Sequence, residues 1–121
     1  MTPEAIRSNW TALRNRLDAQ AQAMKVSQAA IVELSRRYID LDLEARGVVD
    51  GLISEWALSD DENLRFDALA LISNHGIKTA LPALEDLLVR LNGSANPGAP
   101  YEREKVRRII TCLQPQKIGT R

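Results

Sequence analysis

Residues 60 to 91 read DDENLRFDALALISNHGIKTALPALEDLLVRL, two apolar-rich segments joined by the short turn His75-Gly76-Ile77. In the first segment Leu64, Phe66, Ala68, Leu69, Ala70, Leu71 and Ile72 are apolar almost all round, which predicts a helix at the centre of a domain, covered by other helices. Ser59-Asp60-Asp61-Glu62 has the Ser-x-x-Glu form of a capping box, in which hydroxyl and carboxylate satisfy orphan backbone donors, so the helix is expected to start there. Gly76 ends it as a left-handed C-cap. Thr79 is the expected cap of the next helix. Pro82 falls in its first turn, where no intrahelical bond is lost, and Leu81, Leu84, Leu87, Leu88 and Leu91 form its buried stripe.

The same reading extends outward. Thr2 followed by Pro3 is an N-cap and first-turn proline, opening a stripe of Ile6, Trp10, Leu13 and Leu17 that continues through Ala21 and Met24 to Ile31, Leu34 and Tyr38. Either one long helix runs from Pro3 to about Ile39, or it breaks near Lys25 to Ser27 with Ser27 capping a second helix. Asp42 is the expected cap of a further helix with an apolar face of Val48, Val49, Leu52, Ile53 and Trp56. Asn92-Gly93 stops the Leu81 to Leu91 helix, and the Gly- and Pro-rich segment Gly93 to Pro100 is expected to be an exposed loop. A last helix is expected from Tyr101, carried by Val106, Ile109, Ile110 and Leu113, with Pro115 forbidding its continuation and residues 115 to 121 frayed.

Composition narrows the class. Hydrophobic residues make up 45% of the chain but aromatics only 4%, so the interior is built from Leu, Ile, Val and Ala, which favours an all-α fold. Its 121 residues suit one domain, 1 to 121. Sixteen Lys plus Arg balance sixteen Asp plus Glu, giving a weak overall field that disfavours nucleic acid as the partner. One cysteine, Cys112, and a start without basic, apolar and cleavage regions point to a cytoplasmic address. The longest uninterrupted apolar run, Ala68 to Ile72, is far short of the roughly 20 residues that span a bilayer.

Leu64-Arg65-x-x-Ala68-x-x-Leu71 and Val106-Arg107-x-x-Ile110-x-x-Leu113 match at an offset of 42 residues, within the roughly 40 to 47 of helical repeats. With Asp61, Arg65 and Ala68 at turn-acid, second-helix arginine and small packing positions, residues 43 to 113 resemble the HEAT-like helical repeat family. The resemblance implies a short right-handed array of five to six antiparallel helices, with HEAT-like pairs at 41 to 76 and 77 to 114. Residues 1 to 40 would be a degenerate first pair or a long helix, the antiparallel return favouring the pair. The bulky Phe66 and the long loop before Tyr101 depart from the family pattern.

Catalytic and metal motifs are weak by comparison. One histidine and one cysteine, His75 and Cys112, are too few for the usual zinc sites, and both read as structural or inert. Asp40-x-Asp42-x-Glu44 lacks the glycine and glutamate an EF-hand needs at its sixth and twelfth places, which hold Ala45 and Gly51. No Gly-rich phosphate loop or nucleophile elbow is present, so neither cofactor nor metal is expected, and the chain is read as a non-enzyme. Trp10 and Trp56 lie on buried stripes. Arg36-Arg37 and Arg103, Lys105, Arg107 and Arg108 are interspersed with Glu33, Glu102 and Glu104, as on a solvated, ion-paired face.

The resulting expectation is a protein-binding module presenting its second helices, with Arg65, Asp67, Asn74, Tyr101, Arg107 and Arg108 as contact residues. By analogy it resembles a small bacterial immunity protein that neutralises a toxin or enzyme. Nucleic-acid binding, as in HEAT-like DNA glycosylases, and a scaffold role docking through Gly93 to Pro100 are the alternatives. Self-association follows if Trp10 or the Ile6 to Tyr38 stripe is exposed.

Overall fold

Thr2 Oγ1 accepts the Ala5 backbone N–H at 3.1 Å and Pro3 occupies the first helical position, so α1 (Pro3–Met24) starts where its cap demands. The computed structural model describes residues 2–25 and 28–114. Among these, five further helices follow: α2 (Ala29–Ile39), α3 (Leu43–Trp56), α4 (Glu62–His75), α5 (Leu81–Asn92) and α6 (Ala99–Leu113), with one 3-10 turn at Lys78–Ala80 and no strand. The protein is all-α.

The stripe from Ile6 to Tyr38 is carried by two helices, the favoured of the two readings. Lys25 turns into the left-handed region at φ 59° and its N–H bonds back to Ala21 and Gln22 carbonyls, ending α1. The proposed Ser27 cap lies outside the described residues, and Gln28 precedes α2 without a side-chain cap bond. Pro115 and the tail from 115 to 121, expected to be frayed, also lie outside them.

Three helix starts differ from expectation, each for a local reason. Asp61 caps α4 by accepting the Asn63 and Leu64 N–H groups, while Ser59 Oγ accepts the Asp61 N–H, so the box Ser59 to Glu62 does not form. The turn Lys78–Ala80 winds directly into α5, which places Thr79 inside the turn, and Ala80 stands at the cap without a side-chain bond. Asn96 Oδ1 accepts the Gly98 N–H at 2.9 Å, and α6 then starts at Ala99, with Pro100 in its first turn rather than in the loop. Asp42 and Gly76 act as expected: Asp42 Oδ1 accepts the Ala45 N–H at 2.8 Å, and Gly76 adopts φ 61°.

The helices pack in two layers. In one, α1 touches α3 and α3 touches α5; in the other, α2 touches α4 and α4 touches α6. Across the layers α1 packs on α2, α3 on α4 and α5 on α6. A single hydrophobic cluster draws side chains from all six helices, with Leu34, Val49, Ile53, Leu69, Leu71, Ile72, Leu84 and Val106 fully enclosed. Each such side chain contributes about 1.5–3 kcal/mol by leaving water. Trp10 and Trp56 belong to this core. Phe66 does not: it is 38% exposed on the outer side of α4, so that helix has an uncovered side rather than being covered all round.

Candidate functional site

Which charges remain free for a partner depends on which ones hold helices together. Arg65 on α4 grips Glu102 on α6 through two bonds, Nε to Oε2 at 2.7 Å and Nη2 to Oε1 at 2.9 Å, and its Nη1 donates to the Ser59 carbonyl at 3.1 Å. Glu102 is buried, because helical spacing puts it on the same face as Val106, Ile109 and Leu113. Hydrogen bonding to Glu102 raises the Arg65 pKa further, so its charge is permanent. A second lock joins α1 to α4: Arg14 Nε donates to Asp67 Oδ2 at 2.7 Å, with both side chains largely shielded. Burial pushes the Asp67 carboxyl above its ordinary pKa, and the Arg14 bond only partly opposes this.

Arg65 and Asp67, expected as partner contacts, are therefore committed inside the fold. Each sits on a flank of α4 rather than its outward face, where a neighbouring helix carries the opposite charge. Asn74 is exposed, and its Nδ2 donates to Ser35 Oγ on α2 at 3.4 Å. Tyr101 stands out from the first turn of α6, 84% exposed, and Arg107 and Arg108 are exposed further along. Helical spacing puts Tyr101, Lys105 and Arg108 on one line and Arg107 on the far flank. Arg107 thus stands apart from Tyr101 and Arg108, and Arg65 is taken up by Glu102.

The diversion of Glu102 also changes the charge of α6. Arg103, Lys105, Arg107 and Arg108 keep Glu104 as the one carboxylate on the exposed side of that helix, 3.8 Å from Arg108. Arg103 reaches back to the Leu91 carbonyl at 3.5 Å, and Lys105 Nζ lies 5.4 Å from the centre of the Phe66 ring. On α2 the expected ion pairing does form: Arg36 and Arg37 both bond Glu33, which lowers the Glu33 carboxyl pKa through the Arg37 hydrogen bond first. Cys112 is an exposed free thiol on the surface of α6.

Two further groupings were not among the expected site residues. Tyr38 Oη donates to Asp50 Oδ1 at 2.6 Å, the His75 ring packs on Tyr38 with centroids 4.3 Å apart, and the Arg46 guanidinium lies 5.1 Å from the Tyr38 ring centre. Burial, then the Asp50 bond, raises the Tyr38 pKa, while burial and nearby Arg46 lower that of His75. Arg46 Nη2 donates to the Ile39 and Leu41 carbonyls, so this cluster ties the end of α2 to α3 and α4. Separately, an apolar groove of about 390 Å³ lies between α1 and the α2 to α3 turn, walled by Ile6, Trp10, Leu13, Leu41 and Val49. A tyrosine on an apolar stripe with an aspartate across the next turn was the available hint of the first. Nothing local announced the second.

Among the described residues no group of three or more His, Cys, Asp or Glu is arranged to hold a metal ion, and no helix is long and apolar enough to cross a membrane. Comparison of the chain with family models, curated proteins and solved structures finds no match. What the geometry defines is an all-α protein whose interior charges join helices and whose exposed large aromatics among the described residues, Phe66 and Tyr101, lie on α4 and α6.

Proposed function

We propose that the chain is a short HEAT-like array of three helix pairs, α1 with α2, α3 with α4 and α5 with α6, acting as a non-enzymatic protein-binding module. Its sharpest form is a small bacterial immunity or inhibitor protein of the cytoplasm that neutralises a cognate toxin or enzyme. Layer-by-layer contact between alternate helices supports the array. The observation that carries the binding role is the outer surface of α4 and α6, where Phe66 and Tyr101 stay exposed beside Lys105 and Arg108 while the interior charges are spent on packing.

Affinity capture of the tagged full chain from its native lysate, followed by reconstitution with the captured protein, tests this. One stoichiometric protein whose activity falls on reconstitution supports an inhibitor, and recovery of no protein partner refutes the module. The unbalanced cations of α6 favour one second reading, nucleic-acid binding. A filter-binding titration with duplex and single-stranded DNA at low salt, where phosphate contacts are strongest, removes it if no complex forms.

A further inference from the structure

A surface is specified for a partner by what it leaves uncovered and by the charge it leaves unbalanced. The outer sides of α2, α4 and α6 are joined into one face by Asn74 donating to Ser35 and by Lys105 lying over Phe66. Phe66 is the centre of that face. On one side of it stands the α6 line of Tyr101, Lys105 and Arg108. On the other, the last turns of α1 leave a cleft of about 420 Å³, lined by Asp18, Ala21, Gln22, Lys25, Asn63 and Asp67 together with Phe66; Asp18 accepts from the Gln22 side-chain amide at 2.9 Å and Asp67 from Arg14.

We infer that this face docks an acidic protein segment carrying one large aromatic side chain. The aromatic enters the cleft against the open edge of Phe66, and carboxylates beside it meet Lys105 and Arg108. The inference rests on the protein-binding reading above and gives that partner its chemistry. Charge complementarity sets the sign: the bond to Arg65 removes Glu102 from the surface, leaving α6 basic in a chain of zero formal net charge. The cleft sets the anchor. Its size admits an aromatic ring, and Gln22 and Asn63 on its rim can bond a hydroxyl or indole N–H. Nucleic acid fits less well, because Lys105 already covers the Phe66 ring face a base would stack on.

Selection of short random peptides displayed on phage against the immobilised full chain tests the inference. Peptides rich in Asp and Glu around a Trp, Tyr or Phe are expected. They should bind about tenfold or more weakly to Lys105→Glu/Arg108→Glu and to Phe66→Ala, and unchanged to Glu85→Lys/Asp86→Lys on α5, each variant first shown to be folded by circular dichroism. Enrichment without acidic bias, no enrichment, or binding indifferent to the α6 reversal overturns it. A single-stranded oligonucleotide binding as tightly as the peptides at physiological salt also overturns it and assigns the face to nucleic acid. Lysate capture separates the two levels: a partner retained by Lys105→Glu/Arg108→Glu but lost by Glu85→Lys/Asp86→Lys refutes this face and leaves the module standing.

Discussion

Arg65→Ala is expected to destabilise the fold more than Glu102→Ala, although both delete the same ion pair. The Glu102 carboxylate has Arg65 as its one hydrogen-bonding side chain among the described residues, and its side chain is 5% exposed. Removing Arg65 strands that charge, for which about 3–5 kcal/mol is typical. Removing Glu102 leaves Arg65 more exposed and still bonded through Nη1 to the Ser59 carbonyl at 3.1 Å, so the loss should be about 2–3 kcal/mol. For a chain of this size, about 3–5 °C of Tm accompanies each kcal/mol, putting Arg65→Ala about 10–20 °C below the parent. The double variant Arg65→Met/Glu102→Leu should recover to within about 1 kcal/mol of the parent, since apolar packing replaces two desolvated charges. Urea and thermal unfolding followed by circular dichroism rank the three variants against the parent. If Glu102→Ala costs as much as Arg65→Ala, or the double variant is no better than the worse single one, the argument from stranded charge fails.

Other tests address the pieces the fold depends on. His75 has a pKa below its ordinary value in the folded state, so the unfolded chain binds the proton more readily; stability should be full above the unfolded pKa of about 6.5 and fall as pH drops from there through the lower folded one, and His75→Phe should flatten that part of the profile. Gly76→Ala, at φ 61°, should lower stability by about 1–2 kcal/mol in chemical denaturation, whereas Lys25→Gly, at φ 59°, should raise it by up to about 1 kcal/mol; the opposite pair of signs would contradict the left-handed caps. Asp61→Ala should cost about 1 kcal/mol and Ser59→Ala clearly less, with the reverse order pointing back to a capping box.

Periodicity located the apolar stripes, because one such as Leu84, Leu87 and Leu91 is a local property that survives whatever it packs against, but it left open whether the stripe from Ile6 to Tyr38 belonged to one helix or two. Boundaries were less legible where the backbone itself supplied the turn. Thr79 looks like a cap, but a 3-10 turn passes through it, and the start of α6 shifted because Asn96 organises the bend before Gly98. The surface was hardest to read. Arg65 and Asp67 look exposed from their residue types, and only the approach of α6 and α1 from far along the chain consumes them. Arg14 carried the one usable clue: it follows Trp10 by four residues on the apolar side of α1, where a cation requires an acid on a facing helix. Which acid it was could not be known before the helices were placed.

A packed helix can still roll about its own axis, and apolar contacts resist that motion only weakly because one leucine replaces another with little loss. The forked bond from Arg65 has no such tolerance. Glu102 is the next residue after Tyr101, so fixing the direction of one fixes the other, about 100° around the helix. The interior thereby sets the azimuth of everything α6 shows to the outside. Positions 101, 105 and 108 are then free to change from one descendant of this chain to another without turning the helix that bears them, so the partner can be exchanged while the scaffold keeps its register.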